Sequence, residues 1–228
     1  MDERALREEI VGVCRRLYER GLIAGPDGNV SARLADDTML VTPTGMSKVD
    51  VGPEDLVVVG MDGRRLSGYR EPSSEVSLHV RIYLRRPDVG AVVHAHPPVA
   101  TGFAVAGEGF ERSVLPELIV QLGAVPLVPY ATPGTGSLPD ECEPYMDAYD
   151  ALLLANHGAV TTGPTLLVAH QRMESLEHAA RITLVARQLG RVNELTSAQV
   201  AALSPARSRP VVQGAETESS ARESKRGD

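Results

Sequence analysis

The sequence predicts an α/β fold with three layers, in which a central mixed, mainly antiparallel sheet lies between helices on both of its faces. Short apolar segments with the length of buried strands alternate with longer segments whose apolar residues recur at helical spacing. Clusters of glycine, proline and small polar residues separate these segments, as is typical of turns. The 228 residues contain no internal repeat and suit a single domain with a sizeable core.

The first part of the chain predicts two helices with a hairpin and a strand between them. Residues 3–20 place apolar side chains such as Ile10 and Leu17 on one helical face, opposite a charged face, and Gly21 ends this helix. The elements that follow are a turn at 25–29, a hairpin of strands at 30–34 and 38–41, a strand at 56–59, and a helix that begins in Pro72-Ser73-Ser74-Glu75 and runs to about Arg86.

The second part predicts three more strands and ends in a long helix. The elements are a strand at 89–94, a helix from Pro97, a strand at 125–128, a helix within 139–148, an apolar strand at 151–155 and an amphipathic helix at 166–189. Beyond these the chain is rich in Ser, Arg, Glu and Gly and offers little that a core could bury. We therefore predict a folded domain over 1–203 and a disordered polar tail over 204–228.

Composition excludes several classes of function. The formal net charge of −7 argues against a general nucleic-acid-binding surface, although a local pocket for an anion remains compatible with it. No apolar run approaches the roughly 20 residues of a membrane-spanning helix, and the N-terminus lacks the apolar core of a signal peptide. We therefore expect a cytoplasmic protein without a membrane partner. Cys14 and Cys142 fit no metal or redox spacing and are predicted to be free thiols.

Three histidines follow the ends of two predicted buried strands. His94 and His96 leave the strand at 89–94 two residues apart, so their side chains point the same way. His157 follows the strand at 151–155. One such histidine is more often structural, but three that meet beside an open position form the pattern of a catalytic zinc site. A structural zinc site would be expected to use cysteine, and neither cysteine is suitably spaced.

The other three histidines fall within predicted helices. His79 lies four residues after Glu75, on the same helical face, where it is expected to orient the Glu75 carboxylate. For His170 and His178 we favour a structural role.

Three short loops share one chemistry, since each combines backbone N–H groups with small or hydroxyl side chains. They are Gly28-Asn29, Thr44-Gly45 and Ser73-Ser74, the last at a predicted helix N-terminus, which favours an anion. If they converge, these loops could bind a phosphate. The alternative for each loop alone is an ordinary turn or helix cap. Lys48, three residues after Gly45, is interpreted as a solvated loop lysine rather than as an anion ligand.

The motifs resemble, in order, those of the class II aldolase family, which includes L-fuculose-phosphate aldolase and L-ribulose-phosphate 4-epimerase and shares its fold with the adducin head domain. The resemblance covers about residues 5–190. The motifs that carry it are Gly28-Asn29-Val30-Ser31, Thr44-Gly45, Pro72-Ser73-Ser74-Glu75, His94-Ala95-His96, the loop Pro129-Tyr130-Ala131-Thr132-Pro133-Gly134-Thr135, and Asn156-His157-Gly158.

The resemblance implies a homotetramer with active sites between subunits and one zinc ion per subunit. It assigns zinc binding to His94, His96 and His157. It makes Glu75 a ligand of the resting metal and an acid/base catalyst. The residues that it assigns to the substrate phosphate are Gly28, Asn29, Thr44, Gly45, Ser73 and Ser74.

The implied reaction is a reversible, zinc-dependent retro-aldol cleavage of a ketose 1-phosphate to dihydroxyacetone phosphate and an aldehyde. The candidate substrates are a fuculose-phosphate-like sugar and a deoxy- or methylthio-pentulose 1-phosphate. Glu117 stands where the fuculose-phosphate aldolase uses a tyrosine as its second acid/base, and the related methylthioribulose-phosphate dehydratases carry a catalytic glutamate in this segment. Glu117 is therefore a second catalytic candidate.

Other functions stay open. The position of Glu117 makes dehydration a rival reaction, and a dehydratase or a decarboxylase of a phosphosugar on the same scaffold is the main alternative. An epimerase is less compatible, because Ile119 occupies the position of an acidic residue in that subgroup. A non-catalytic interaction module like the adducin head domain is the remote alternative, since such modules lose the metal ligands that are present here.

Overall fold

The computed structural model describes residues 2–35 and 37–203, so the predicted tail at 204–228 lies outside the described residues. Eight strands form one sheet. They are β1 (Asn29–Ala35), β2 (Thr38–Val41), β3 (Val57–Gly60), β4 (Arg65–Ser67), β5 (Ala91–Ala95), β6 (Leu127–Val128), β7 (Ala151–Leu154) and β8 (Gly158–Gly163). The helices are α1 (Glu3–Glu19), α2 (Val76–Arg85), α3 (Pro98–Val105), α4 (Pro116–Gln121), α5 (Ser137–Met146), α6 (Leu166–Gln188) and α7 (Ser197–Leu203).

The strand order is β4-β3-β2-β1-β5-β8-β7-β6. Every neighbouring pair in the described sheet is antiparallel except β6 and β7, which run parallel. The predicted mixed, mainly antiparallel sheet is therefore confirmed. Strand β5 is central, and it pairs with β1 from the first part of the chain and with β8 from the second.

Two hydrophobic cores cover the two faces of the sheet, because successive side chains of a strand point to opposite faces. Along β5, Val93 packs into a core that includes apolar residues of α1, α3, α4 and α6. Its neighbour Val92 packs into the core with residues of α2 and α5. The three-layer arrangement is thus confirmed, and His94, next to Val93, points toward the α2 side.

Four described elements were not predicted from the sequence: β4, β8, α4 and α7. All three residues of β4 are exposed, so this edge strand has no apolar alternation. All six residues of β8 are buried, and two of them are threonines that satisfy their hydroxyls internally. Thr161 donates to the carbonyl of Ala169, and Thr162 donates to that of Asp150. A pattern of hydrophobic residues does not reveal a buried strand whose polar side chains find their hydrogen-bond partners inside the protein.

Both cysteines are buried free thiols, as predicted. Burial raises the pKa of Cys14 to about 12, and burial together with the charges of Glu141 and Glu75 raises that of Cys142 to about 12. Among the described helices, none combines the length and the apolar character that a membrane crossing requires.

Candidate metal centre and anion cradle

The three predicted metal-binding histidines meet at one end of the central strands. His94 lies in β5, opposite Asn29 of β1 and Val160 of β8, and His96 directly follows the strand. His157 lies in the turn between β7 and β8. Asn156 adopts a left-handed backbone conformation there (φ 55°), which asparagine tolerates better than most residues. The turn thereby directs His157 back toward β5.

Gly158 lets the two histidine segments approach closely. A Cβ at this position would lie 2.5 Å from Cδ2 of His96 and 2.6 Å from the carbonyl oxygen of Ala95. Only glycine therefore fits beside His96 without displacing it.

The imidazole nitrogens of the three histidines converge with a carboxylate. Suitable ligand atoms of His94, His96 and His157 all lie within 4.8 Å of one another. The Nε2 atoms of His94 and His96 are 3.2 Å apart. Oε2 of Glu75 lies 3.1 Å from Nε2 of His94, and its Oε1 lies 3.4 Å from Nε2 of His157. The histidines are thus positioned to bind a metal ion, with Glu75 beside them.

The hydrogen bonds behind these atoms fix their roles. Nδ1 of His94 lies 3.0 Å from the carbonyl oxygen of Ala159. Because a carbonyl only accepts, Nδ1 carries a proton, so Nε2, which faces the cluster, holds a lone pair in the neutral ring and a second proton in the charged ring. Lone pairs on Nε2 and on the Glu75 carboxylate would repel at 3.1 Å unless a proton or a metal ion lay between them. A divalent cation, bound by three nitrogens and one carboxylate, fits this donor set.

Burial keeps His96 and His157 neutral at neutral pH. Burial and the charge of His94 lower the pKa of His157 to about 4, and the same two causes lower that of His96. Both rings therefore hold lone pairs at neutral pH, as metal ligands require. Oε1 of Glu75 is buried without a hydrogen-bond partner among the described residues, as expected for an atom of a polar cluster that a bound species completes.

Glu75 is held as a carboxylate. Burial raises its pKa, but the charge and hydrogen bond of His94, with His157 and the Asn29 amide, lower it to well below its usual value. The Nδ2 atom of Asn29 donates to Oε2 of Glu75 over 2.9 Å. Glu75 occupies the N-cap position of α2, where the helix dipole also favours negative charge.

Asp27 is a site residue that the sequence analysis missed. Its Oδ2 atom lies 3.5 Å from Nδ1 of His96, on the side of the ring that faces away from the cluster. A carboxylate behind a ligating imidazole orients the ring and strengthens it as a ligand. The only signal in the sequence is its place beside Gly28, which was interpreted as part of a turn.

The three predicted anion loops lie side by side at the same end of the sheet. An isolated antiparallel bridge joins Pro43 to Pro72. The Thr44 N–H donates to the carbonyl of Glu71, and the Ser73 N–H donates to that of Thr42. The loop of Thr44-Gly45 therefore runs next to Ser73-Ser74. Phosphate binding by these loops stays a prediction. That prediction required the three loops to lie close together, as they do here.

Two glycines allow close contacts around the three anion loops, which together we call the phosphate cradle. Gly28 has a positive φ of 70°, and a Cβ there would lie 2.7 Å from the carbonyl oxygen of His94. The loop of Gly28-Asn29 is therefore in contact with the strand that carries His94. Gly134 lies over Ser74, since its Cβ would be 3.5 Å from that of Ser74. The loop at 129–135 thus forms a further wall.

Glu117 is exposed and lies in the first turn of α4. It lines a cavity of about 580 Å³ between α4 and α6, and the other lining residues include Arg20, Gln121 and His178. Neither Glu75 nor any of the three clustered histidines lines this cavity.

The expectations for His79 and Lys48 need correction. Nδ1 of His79 lies 2.6 Å from the Ser31 hydroxyl, and its Nε2 has no hydrogen-bond partner among the described residues, so it does not hold Glu75 directly. Glu75 and His79 do lie on one face of the helix, but the imidazole of His79 forms its hydrogen bond with the buried Ser31 hydroxyl instead. Lys48 is 1% exposed rather than solvated, because its ammonium group is bound by backbone carbonyls.

Comparison with known proteins identifies relatives over most of the chain. The sequence profile described as Class II Aldolase and Adducin N-terminal domain matches residues 8–184. A 3-oxo-tetronate 4-phosphate decarboxylase of Pectobacterium atrosepticum is 36% identical over 209 residues, which cover 89% of this chain and 94% of the relative. A 5-deoxy-D-ribulose 1-phosphate aldolase of Bacillus thuringiensis is 34% identical, over 81% of this chain and 86% of that protein.

A solved structure agrees with these relatives. A solved structure described as L-fuculose 1-phosphate aldolase superimposes with a TM-score of 0.83 at 30% sequence identity, covering 88% of this chain and 95% of that one.

Proposed function

The chain belongs to the class II aldolase and adducin N-terminal domain family, and on that basis we propose that it is a metal-dependent carbon–carbon lyase that acts on a phosphorylated sugar or sugar acid. The observation that carries the proposal is the convergence of three imidazoles and the Glu75 carboxylate beside three loops suited to a phosphate. In this proposal the imidazoles and Glu75 act at the reacting end of the substrate, and the three loops bind its phosphate.

We propose zinc as the metal, bound by His94, His96 and His157, with Glu75 as a fourth ligand in the resting state. The nitrogen-rich donor set supports zinc, although three imidazoles select only weakly among divalent metals. When bound, the ion would stabilise negative charge that develops on the substrate oxygens next to the broken bond.

The protein residues have separate roles in this proposal. The cradle loops bind the phosphate through backbone N–H groups and the hydroxyls of Thr44, Ser73 and Ser74. The Asn29 amide holds the Glu75 carboxylate in place. The Glu75 carboxyl group would pass a proton, taken from solvent, to the carbon that keeps the bonding electrons.

Decarboxylation is the first candidate reaction. In a 3-oxo-tetronate 4-phosphate, the bond between the carboxylate carbon and C2 breaks, CO₂ leaves, and C2 takes up one proton to give dihydroxyacetone phosphate. This reaction needs one proton donor, for which Glu75 suffices. The 3-oxo-tetronate 4-phosphate decarboxylases among the relatives favour it.

Retro-aldol cleavage of a ketose 1-phosphate is the second candidate, favoured by the aldolases among the relatives. It yields the same three-carbon phosphate together with an aldehyde. It needs a second base for the hydroxyl proton, and we assign that role to Glu117 of a neighbouring subunit. With this assignment we also propose a homotetramer with active sites between subunits.

A substrate panel tests the proposal. The zinc-loaded protein is given 3-oxo-tetronate 4-phosphate, fuculose 1-phosphate and 5-deoxyribulose 1-phosphate, and dihydroxyacetone phosphate, CO₂ and aldehyde are measured. We expect dihydroxyacetone phosphate with CO₂ from the first compound. Aldehyde from a ketose 1-phosphate would establish the second candidate instead.

The panel also includes outcomes that contradict the proposal. Release of water from an intact carbon chain would identify a dehydratase. A protein that binds no divalent metal by atomic spectroscopy and gives no product would support the non-catalytic interaction module. A Glu75→Gln variant with unchanged product formation would exclude the assigned proton transfer.

A further inference from the structure

Lys48 stands out among the cationic residues of the chain. The sequence has 23 lysines and arginines, of which only Lys48 and Lys225 are lysines. Lys48 is 1% exposed, which is unusual because lysine is rarely buried without a partner. The described structure places this ammonium group next to the proposed phosphate cradle.

The Lys48 ammonium group joins two of the cradle loops. Its Nζ donates to the carbonyl oxygen of Pro26 over 2.7 Å and to that of Met46 over 3.0 Å. Pro26 lies two residues before Gly28, and Met46 directly follows Gly45. One side chain therefore fixes the spacing between the Gly28-Asn29 loop and the Thr44-Gly45 loop.

The positive charge of Lys48 has no paired anion in the described part of the chain: its hydrogen bonds go to neutral carbonyls. The titratable groups that influence it are Cys14 on α1 and Asp27 on the adjacent loop. The Cys14 thiol is neutral because burial raises its pKa to about 12. The Asp27 side chain is about half exposed (47%) and also lies beside His96. A buried cation without a close counter-ion destabilises the folded protein.

The cradle, in turn, has no cationic side chain of its own. Its six residues offer only N–H groups, hydroxyls and one amide, while a substrate phosphate carries nearly two negative charges at neutral pH. The unpaired cation and the uncharged cradle therefore complement each other.

We propose that Lys48 is a positioning residue for the substrate phosphate, which holds two cradle loops at their binding distance and supplies the buried positive charge that a phosphate compensates. The proposal rests on the phosphate cradle of the proposed function. It assigns Lys48 to substrate binding rather than to proton transfer.

A purely structural role predicts a different outcome. If Lys48 only held the loops, its replacement would lower stability and phosphate affinity together. If its charge serves the ligand, Lys48→Met removes an unfavourable buried charge and two favourable hydrogen bonds, so the stability of the phosphate-free protein changes little. Phosphate affinity would then fall much more than stability.

The test compares wild type, Lys48→Met and Cys14→Ala in their zinc-loaded forms, with inorganic phosphate as the probe. Cys14→Ala is the matched control, because it alters packing beside Lys48 without removing charge. We expect Lys48→Met to weaken phosphate binding about tenfold or more by calorimetry. Its melting temperature without phosphate should fall no further than that of the control. With substrate, KM should rise while kcat changes little.

A second measurement needs no variant. In protein labelled with ¹³C and ¹⁵N in lysine only, Lys48 and Lys225 give the only two side-chain signals. Burial lowers the pKa of Lys48, and a nearby bound anion raises it. Adding phosphate should therefore shift the Lys48 signal and raise its pKa, while Lys225 is the internal reference.

The results separate the two proposals. If wild type binds phosphate and Ser74→Ala weakens that binding, but Lys48→Met does not and the Lys48 signal stays unchanged, the Lys48 proposal is wrong and the cradle stands. If Ser74→Ala has no effect, or wild type binds no phosphate, the cradle is wrong and the role of Lys48 fails with it.

Discussion

The metal centre and the phosphate cradle lie next to each other but are built in different ways. The metal centre consists of side chains, and the two deepest, His94 and Glu75, are 0% and 8% exposed. The cradle consists largely of backbone, held by the bridge between Pro43 and Pro72, and exposes Thr44, Gly45 and Ser74. Substitutions in the metal centre should therefore affect metal binding and catalysis, whereas substitutions in the phosphate cradle should affect substrate affinity.

The largest effect is expected from His94→Ala. Losing a ligand should lower zinc affinity by more than the roughly 100-fold that loss of an outer hydrogen-bond partner can produce. Activity should fall with it. Zinc content after gel filtration, measured by atomic spectroscopy, checks this. His170→Gln, on α6, is the control and should keep its zinc. A zinc-replete His94→Ala protein would contradict the assignment.

Glu75→Gln should separate chemistry from metal binding within the same centre. We expect kcat to fall about 10²- to 10⁴-fold, because proton transfer is lost, while zinc remains bound through three imidazoles. Steady-state kinetics and zinc content check this. Equal losses in a zinc-free protein would show that Glu75 is needed mainly as a ligand.

Gly158→Ala tests whether backbone packing sets the metal geometry. The new methyl group would have to displace His96, so we expect about a 10- to 100-fold loss of zinc affinity, similar to that of a misoriented ligand. Gly102→Ala in α3 is the matched control, because nothing lies within 4 Å of its added Cβ. A competition titration with a chromophoric chelator measures both. Equal affinities would show that the turn adapts.

Ser74→Ala should act on the cradle alone. We expect KM for the phosphorylated substrate to rise about tenfold, as for one lost hydrogen bond to a charged group, with kcat and zinc content unchanged. A fall in zinc content would break the proposed separation between the two regions.

The smallest effect concerns stability beneath the metal centre. Burial lowers the pKa of His79 to about 3, below its ordinary value of 6.5. Between these pH values the unfolded chain binds a proton that the folded one does not, so stability is complete above pH 6.5 and falls as the pH is lowered. His79→Asn should remove up to about 1.4 kcal/mol per pH unit of this dependence. Urea unfolding of metal-free protein at pH 5 and 7.5 checks this. An unchanged slope would refute it.

The sequence predicted the side chains at strand ends better than it predicted the arrangement of the loops. His94, His96 and His157 could be located because side chains at strand ends converge in a simple way, and the layers followed from apolar spacing. Asp27 and the burial of Lys48 could not, since both depend on how loops from distant parts of the chain fold over one another. Strand β8 was missed because Thr161 and Thr162 satisfy their hydroxyls only in the folded sheet.

The central place of β5 has a consequence for biosynthesis. His94 is paired on one side with a strand made early and on the other with a strand that ends at Gly163. During translation, the third imidazole and its supporting strand leave the ribosome more than 60 residues after His94. The site of three imidazoles is therefore complete only after β8 has been made, and we expect full metal loading to follow closure of the sheet. Contacts this distant in sequence also predict slow folding.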